Sequence, residues 1–170
     1  DVCSSDLEKY KIKGSFGHPV PVVDGKTQSS GAKASAIVLK KEFTDVKDLL
    51  CIDYTSAYST PSLDKLVRTF VYDRQGKGSF TVGDEFTANA PIRFETAITT
   101  QANWKIIDDT HLLLTTGTEQ MTVTIEASGK VAFTSETIEV NSPAYTRIGI
   151  SLKEQSKDGY IRLTMRTKQL

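Results

Sequence analysis

The sequence predicts an all-β protein, an antiparallel β-sandwich, and two observations lead to that prediction. Short segments rich in Thr, Val, Ile and aromatic residues follow one another along most of the chain, and many alternate apolar with polar side chains. Turn-forming residues separate them at short intervals, as in RQGKG, ASGK and SKDG, which we interpret as hairpin loops. Short strands joined by such turns are typical of meanders folded into two layers.

Ten segments carry the strand pattern, and helix signals are weak. TPSLDKLVRTF has a cap residue and two leucines at helical spacing, but it runs into a strand-like segment, so we expect one helical turn at most. In the hairpin around RQGKG, Phe70 and Tyr72 share one face and Thr69, Val71 and Asp73 share the other, and we expect one of the two faces to be core. The isolated Gly83 suggests a bulge. In chain order, the predicted strands are KASAIVLKKEF (33–43), LLCIDYT (49–55), LVRTFVYDR (66–74), GSFTVGDEFT (78–87), PIRFETAITT (91–100), HLLLTT (111–116), EQMTVTIEA (119–127), KVAFTSETIEV (130–140), RIGISLKE (147–154) and YIRLTMRT (160–167).

Length and charge restrict the classes of function. A chain of 170 residues with 38% hydrophobic residues suits a single domain with a real core. Lys and Arg total 21, as do Asp and Glu, so no overall field attracts nucleic acid or an anionic membrane, and we expect neither as a partner. Apolar runs such as residues 36–39 fall far short of the roughly 20 residues that a membrane-spanning helix needs.

The first seven residues do not fit the rest of the chain. DVCSSDL, Asp1 to Leu7, shows neither strand alternation nor a signal-peptide centre, and it reads as the translation of a common sequencing adapter. We therefore expect an artefact at residues 1–7 and a single β-sandwich domain at 8–170, a fragment of a larger protein. On this interpretation Cys51 is the one native cysteine, so no disulfide framework or cysteine metal cluster can form.

Several motifs, in their order and spacing, carry a family resemblance. GSFGHPVPVVDGKTQ, IDYTSAY, LVRTFVYDR and SFTVGDEF, followed by PIRFETAITT, resemble the carboxy-terminal β-domain of heparinase II/III-like polysaccharide lyases over Tyr10 to Leu170. The resemblance implies a two-part enzyme, with an upstream α/α toroid followed by a β-sandwich. Such an enzyme cleaves acidic, uronate-containing polysaccharides by β-elimination in a cleft between the parts. It also implies a secreted or periplasmic parent protein.

The resemblance assigns roles to few residues of this chain. His18 matches the family histidine of the GHN or GHP motif, the last of three zinc ligands, and the other two ligands, the base and the tyrosine acid would lie upstream. We therefore expect no catalysis from this chain alone, and zinc weakly held or absent in it, because a zinc site needs about three or four ligands. Pro19, where many family members have Asn, should push His18 toward extended backbone. The alternative is a loop histidine at the start of a strand.

The tyrosines of IDYTSAY are the candidate substrate-binding residues. Aromatic faces stack on sugar rings. The family carries a comparable D-x-T-x-A-Y segment on its cleft side, and its tyrosine corresponds to Tyr58, so Tyr58 is the first candidate and Tyr54 the second. Core packing and turn-forming hydrogen bonds are the alternative for both. A broad apolar patch around His18 and these tyrosines would indicate a missing partner layer.

Other candidates have ordinary structural interpretations. His111 should start a strand beside Asp108 and Asp109. Trp104 should anchor the core on the face it shares with Ile106, and the alternative is an exposed ring that stacks on sugar. Arg68 and Arg74 could bind sulfate or carboxylate, or could be balanced by Asp73 or Asp84.

The competing hypothesis for the whole chain is a non-catalytic β-sandwich that binds carbohydrate or packs against a partner domain. The upstream sequence would separate the two hypotheses. Neither the glycan nor the oligomeric state follows from this sequence.

Overall fold

The computed structural model describes residues 14–139 and 144–168, and the adapter-like segment lies outside them. Twelve strands and two short 3₁₀ turns, Ser15–Gly17 and Thr55–Ala57, form the regular structure of this part of the chain. No helix that it contains is long and apolar enough to cross a membrane. The strands are β1 (Val22–Val23), β2 (Ile37–Phe43), β3 (Lys47–Asp53), β4 (Leu63–Asp73), β5 (Ser79–Ile92), β6 (Phe94–Thr100), β7 (Asn103–Asp108), β8 (His111–Thr116), β9 (Glu119–Ala127), β10 (Val131–Ile138), β11 (Tyr145–Leu152) and β12 (Ser156–Lys168).

The strands form two antiparallel sheets, which confirms the predicted fold class. A large sheet has eight strands in the order β2-β3-β4-β5-β12-β9-β8-β7, and a small sheet has four in the order β1-β6-β11-β10. The chain passes from the large to the small sheet between Ile92 and Phe94. Phe86 of β5 and Phe94 of β6 stack with ring centroids 4.5 Å apart, and both residues are fully buried in the core between the sheets.

One of the three predicted hairpin loops is confirmed and two are wrong. RQGKG joins β4 to β5, which pair along their length. ASGK instead joins β9 of the large sheet to β10 of the small sheet. SKDG lies within β12 and contains a register shift between Ser156 and Asp158. Similar turn chemistry thus serves both a reversal within a sheet and a change of sheet.

The β4–β5 hairpin differs in detail from its prediction. Gly83 lies in continuous register with Thr69 and Arg162 on its two sides, so the predicted bulge there is wrong. The face that carries Phe70 and Tyr72 is only partly buried, because Tyr72 and its partner Phe80 are 46% and 37% exposed. The four-stranded layer is too narrow to cover the eight-stranded one completely.

The edges of the large sheet are therefore uncovered. Every residue of β2 is exposed, including Ile37, Leu39 and Phe43. At the opposite edge, Trp104 packs half-buried against the core, as predicted, whereas Ile106 on the same face is exposed. At TPSLDKL the chain makes a turn, and β4 begins at Leu63 without an α-helix.

Candidate functional site

His18 follows the first 3₁₀ turn and precedes β1, at one edge of the small sheet. Its side chain is exposed and makes no hydrogen bond or ion pair with another described residue. Its backbone is extended, with φ −112° and ψ 162°, which confirms the geometry expected from the following Pro19. The imidazole is thus available to a ligand outside the described residues.

A shallow depression of mixed polar and apolar lining opens at His18. It has a volume of about 330 Å³, and hydroxyl, amide and phenol groups line it. Side chains of this kind can hydrogen-bond a ligand without supplying charge. Its lining residues are Gly17, His18, Thr99, Thr100, Gln101 and Tyr145.

His18 fits as one metal ligand, and the described residues do not complete a site around it. Within residues 14–139 and 144–168 no group of three or more His, Cys, Asp or Glu side chains could hold a metal ion. Zinc in proteins takes three or four such ligands. A zinc ion at His18 would therefore need donors from outside this part of the molecule.

His111 has the ordinary role that the sequence predicts. It is the first residue of β8, and its Nδ1 lies 2.9 Å from Asp108 Oδ1. The backbone N–H of Thr110 donates to the same carboxylate, and this bond, with the His111 and Thr110 side chains, lowers the pKa of Asp108 to about 2. Asp108, Thr110 and His111 thus form a hydrogen-bonded cluster at the beginning of β8.

Tyr54 and Tyr58 are buried, only 4% and 6% exposed. The Tyr54 hydroxyl donates to Asp84 Oδ1 at 2.7 Å, the Tyr58 hydroxyl donates to the carbonyl of Pro21 at 2.8 Å, and the rings meet edge to face. Burial raises the pKa of both phenols. The structure thus gives both residues the packing and hydrogen-bonding role that was the alternative, and sugar contact by either stays a prediction.

The two candidate arginines lie in different environments. Arg74, beyond the end of β4, pairs with Asp48 on the surface. Arg68 is only 7% exposed, and its Nε and Nη2 donate to Asp84 Oδ1 and Oδ2 at 2.7 and 2.8 Å. Burial lowers the pKa of Arg68, but the facing carboxylate more than offsets this, so the pKa lies above its ordinary value. The charge of Arg68 is therefore balanced by Asp84, which is one of the alternatives that the sequence predicts.

An apolar groove opens between the two sheets next to His18. Its volume is about 520 Å³; Pro19, Thr99 and Thr100 form its boundary toward the His18 depression. The apolar surface therefore lies beside Pro19, not around Tyr54 and Tyr58. Its apolar lining includes Phe70, Phe80, Val82, Leu114, Leu163 and Met165.

The fold is shared with solved polysaccharide lyases. A structure of the heparan sulfate lyase HepC from Pedobacter heparinus matches 98% of this chain with TM-score 0.76 and 12% identity, and a heparinase III gene product matches 97% with TM-score 0.72 and 12% identity. A crystal structure of heparinase III matches 91% with TM-score 0.68 and 16% identity.

The match covers only part of those lyases. This chain spans 26% of the first two proteins and 25% of the third. Neither a family model nor a curated protein matches the sequence. At these identities the likeness shows the fold alone: the described residues have the β-sandwich found in one portion of each lyase.

Proposed function

We propose that this chain is the carboxy-terminal β-sandwich of a heparinase II/III-like polysaccharide lyase that cleaves uronate-containing glycans by β-elimination. Its contributions would be His18 as one zinc ligand and one wall of the cleft. The observation that carries the proposal is a match over 98% of this chain to a lyase of which it spans 26%, at TM-score 0.76. The succession of motifs from GSFGHP to PIRFETAITT supports the same family.

The chemistry would belong mostly to the rest of the enzyme. In β-elimination a base removes the proton at C5 of the uronate, the C4–O bond breaks, and an acid protonates the leaving oxygen. A group that neutralises the uronate carboxylate stabilises the intermediate charge. Base, acid and neutralising group would lie upstream, so this chain would be inactive alone.

The His18 environment supports a ligand contributed to a shared site. The imidazole is exposed and bonds to no other described residue, and the described residues do not complete a group of three metal-binding side chains around it. When bound, zinc would fix the ligand-bearing segments to one another. We propose zinc as cofactor of the complete protein only.

The uncovered surfaces support a neighbouring layer of protein. The groove of about 520 Å³ and the exposed side chains of β2 present apolar surface to water, and apolar patches of this kind mark interaction sites. We propose the α/α toroid of the same protein as the principal neighbour, an acidic polysaccharide as substrate, and a periplasmic or secreted location.

The test begins with recovery of the uninterrupted gene from the source DNA. The complete protein and the present chain are then assayed on a panel of acidic polysaccharides by the ultraviolet absorbance of unsaturated uronate, with zinc measured by mass spectrometry. We expect activity in the complete protein, none in the chain, and loss of zinc on His18→Ala but not on the control His111→Ala. Failure on every uronate polymer would refute the lyase proposal, and unchanged zinc in His18→Ala would refute the ligand role.

A second candidate function is a non-catalytic carbohydrate-binding or packing module. The observation that favours it is the depression at His18 beside the groove, which a glycan or a partner domain could occupy. An upstream module of unrelated chemistry, together with glycan binding by the isolated chain, would favour this candidate over the lyase.

A further inference from the structure

The backbone at His18 is fixed on both sides, although its side chain bonds to no other residue that the structure describes. The His18 N–H donates to the carbonyl of Ser15 at 3.1 Å, and the Val20 N–H donates to the carbonyl of His18 at 2.8 Å. Pro19 fixes one further dihedral angle through its ring. These local bonds hold the peptide units of His18 itself.

Two distant side chains hold the carbonyls of the flanking residues. The Tyr145 hydroxyl donates to the carbonyl of Gly17 at 2.5 Å, and Arg68 Nη1 donates to the carbonyl of Pro19 at 2.7 Å. Tyr145 is half-buried on β11, while Arg68 is buried on β4. One donor thus comes from each sheet.

The Arg68 donor is itself held rigidly. Its Nε and Nη2 are both committed to Asp84, whose carboxylate also accepts the hydroxyls of Tyr54 and Thr96. The planar guanidinium therefore points its remaining Nη1 at Pro19 in a fixed direction. A lysine at this position could keep the charge pair but could not satisfy both Asp84 and Pro19 with the same geometry.

We propose that Tyr145 and Arg68 are positioning residues for His18: they fix the direction of its Cα–Cβ bond, so that the imidazole is presented to its ligand with little freedom left to lose. This inference rests on the proposed role of His18 as a zinc ligand. Because ordering a residue on binding costs free energy, a prefixed backbone strengthens metal binding without contacting the metal. The role differs from general stabilisation of the sandwich, which Arg68 also supplies.

The first measurement needs no metal and uses the present chain. We expect slow amide hydrogen exchange at His18 and Val20 in the wild type, and faster exchange there in Tyr145→Phe and Arg68→Lys. Tyr160→Phe and Arg74→Lys are the matched controls, because both replaced side chains lie at the surface and neither contacts residues 17–20. Fast exchange at His18 and Val20 in the wild type would overturn the inference.

The second measurement uses the complete protein and zinc itself. Competition with a chromophoric chelator should show zinc affinity reduced at least about tenfold in Tyr145→Phe and Arg68→Lys, the lower end of losses seen when a group that orients a ligand is removed. The Co²⁺-substituted variants should also show altered visible absorption, which reports ligand geometry and not overall stability.

The outcomes separate the two proposals. Zinc lost in His18→Ala but bound by both positioning variants as by the controls would overturn the positioning role and leave the proposed function intact. Zinc unchanged in His18→Ala would overturn the ligand role, and the positioning role with it. Tyr145→Phe keeps the test decisive if Arg68→Lys does not fold.

Discussion

Replacing Arg68 by methionine should destabilise the chain far more than replacing an exposed arginine. The Asp84 carboxylate is 1% exposed and accepts four hydrogen bonds, two from Arg68 and one each from Tyr54 and Thr96. Methionine fills much of the same volume, but it leaves a buried carboxylate with two neutral donors and no cation. The perturbation is therefore chiefly electrostatic.

The expected loss follows from breaking a buried ion pair. Removal of one partner of such a pair costs about 3–5 kcal/mol, since the remaining charge stays desolvated. For a domain of this size the loss corresponds to a decrease in Tm of about 6–20 °C. Arg162→Met is the control, because its pair with Glu126 is more than half exposed on both sides and should be worth about 1 kcal/mol or less.

Urea unfolding followed by circular dichroism measures both variants in the present chain. Adding Asp84→Asn to Arg68→Met removes the uncompensated charge and should restore part of the lost stability. If Arg68→Met costs no more than Arg162→Met, the ion pair is not a structural element of this sandwich. If the double variant is no more stable than the single one, the destabilisation does not come from the buried carboxylate.

Three further predictions concern other parts of the sandwich. Thr110→Val should raise the pKa of Asp108 from about 2, as measured by NMR titration of the carboxyl. The stability that Asp108 supplies is present above its unfolded pKa of about 4, and it is lost as the pH falls toward 2. Because burial raises the pKa of Tyr54, the stability of the chain should fall as the pH rises above about 10. In denaturant titrations, Tyr54→Phe should make that fall less steep by about 1.4 kcal/mol per pH unit. An unchanged slope would contradict a raised pKa for Tyr54. Gly149→Ala should cost about 1–3 kcal/mol in urea unfolding, because a Cβ there would collide with Thr134 and Glu95, whereas Gly129→Ala, with open space around it, should be nearly neutral.

The strands could be predicted from sequence because their signal is local. Alternating side chains identify β9 at Glu119–Ala127 to the residue, and a short apolar run followed by threonines identifies β8 at His111–Thr116. Turn residues, however, specify only that the chain reverses. Whether the next strand pairs beside the last one, as after RQGKG, or crosses to the other layer, as after ASGK, depends on which arrangement buries both apolar faces.

The buried ion pair had a sequence signal that strand alternation alone does not show. The strand pattern predicts Arg68 either as an anion-binding side chain or as a surface charge balanced by Asp73 or Asp84. Working the hairpin outward from its turn pairs Asp73 with Ser79 and then Arg68 directly with Asp84, so the register itself places opposite charges face to face. Their burial was not predictable, because it depends on Thr96 in the other sheet covering them.

The setting of His18 depends on contacts that no local pattern contains. Pro19 predicts the extended backbone, but the carbonyls on either side are held by Tyr145, 128 positions away, and by Arg68, 49 positions away. Such partners are fixed only when both sheets have formed. An exposed histidine on a backbone tied to both layers is therefore a product of the whole sandwich. For that reason its zinc affinity should respond to Tyr145 and Arg68, although neither residue would contact the metal.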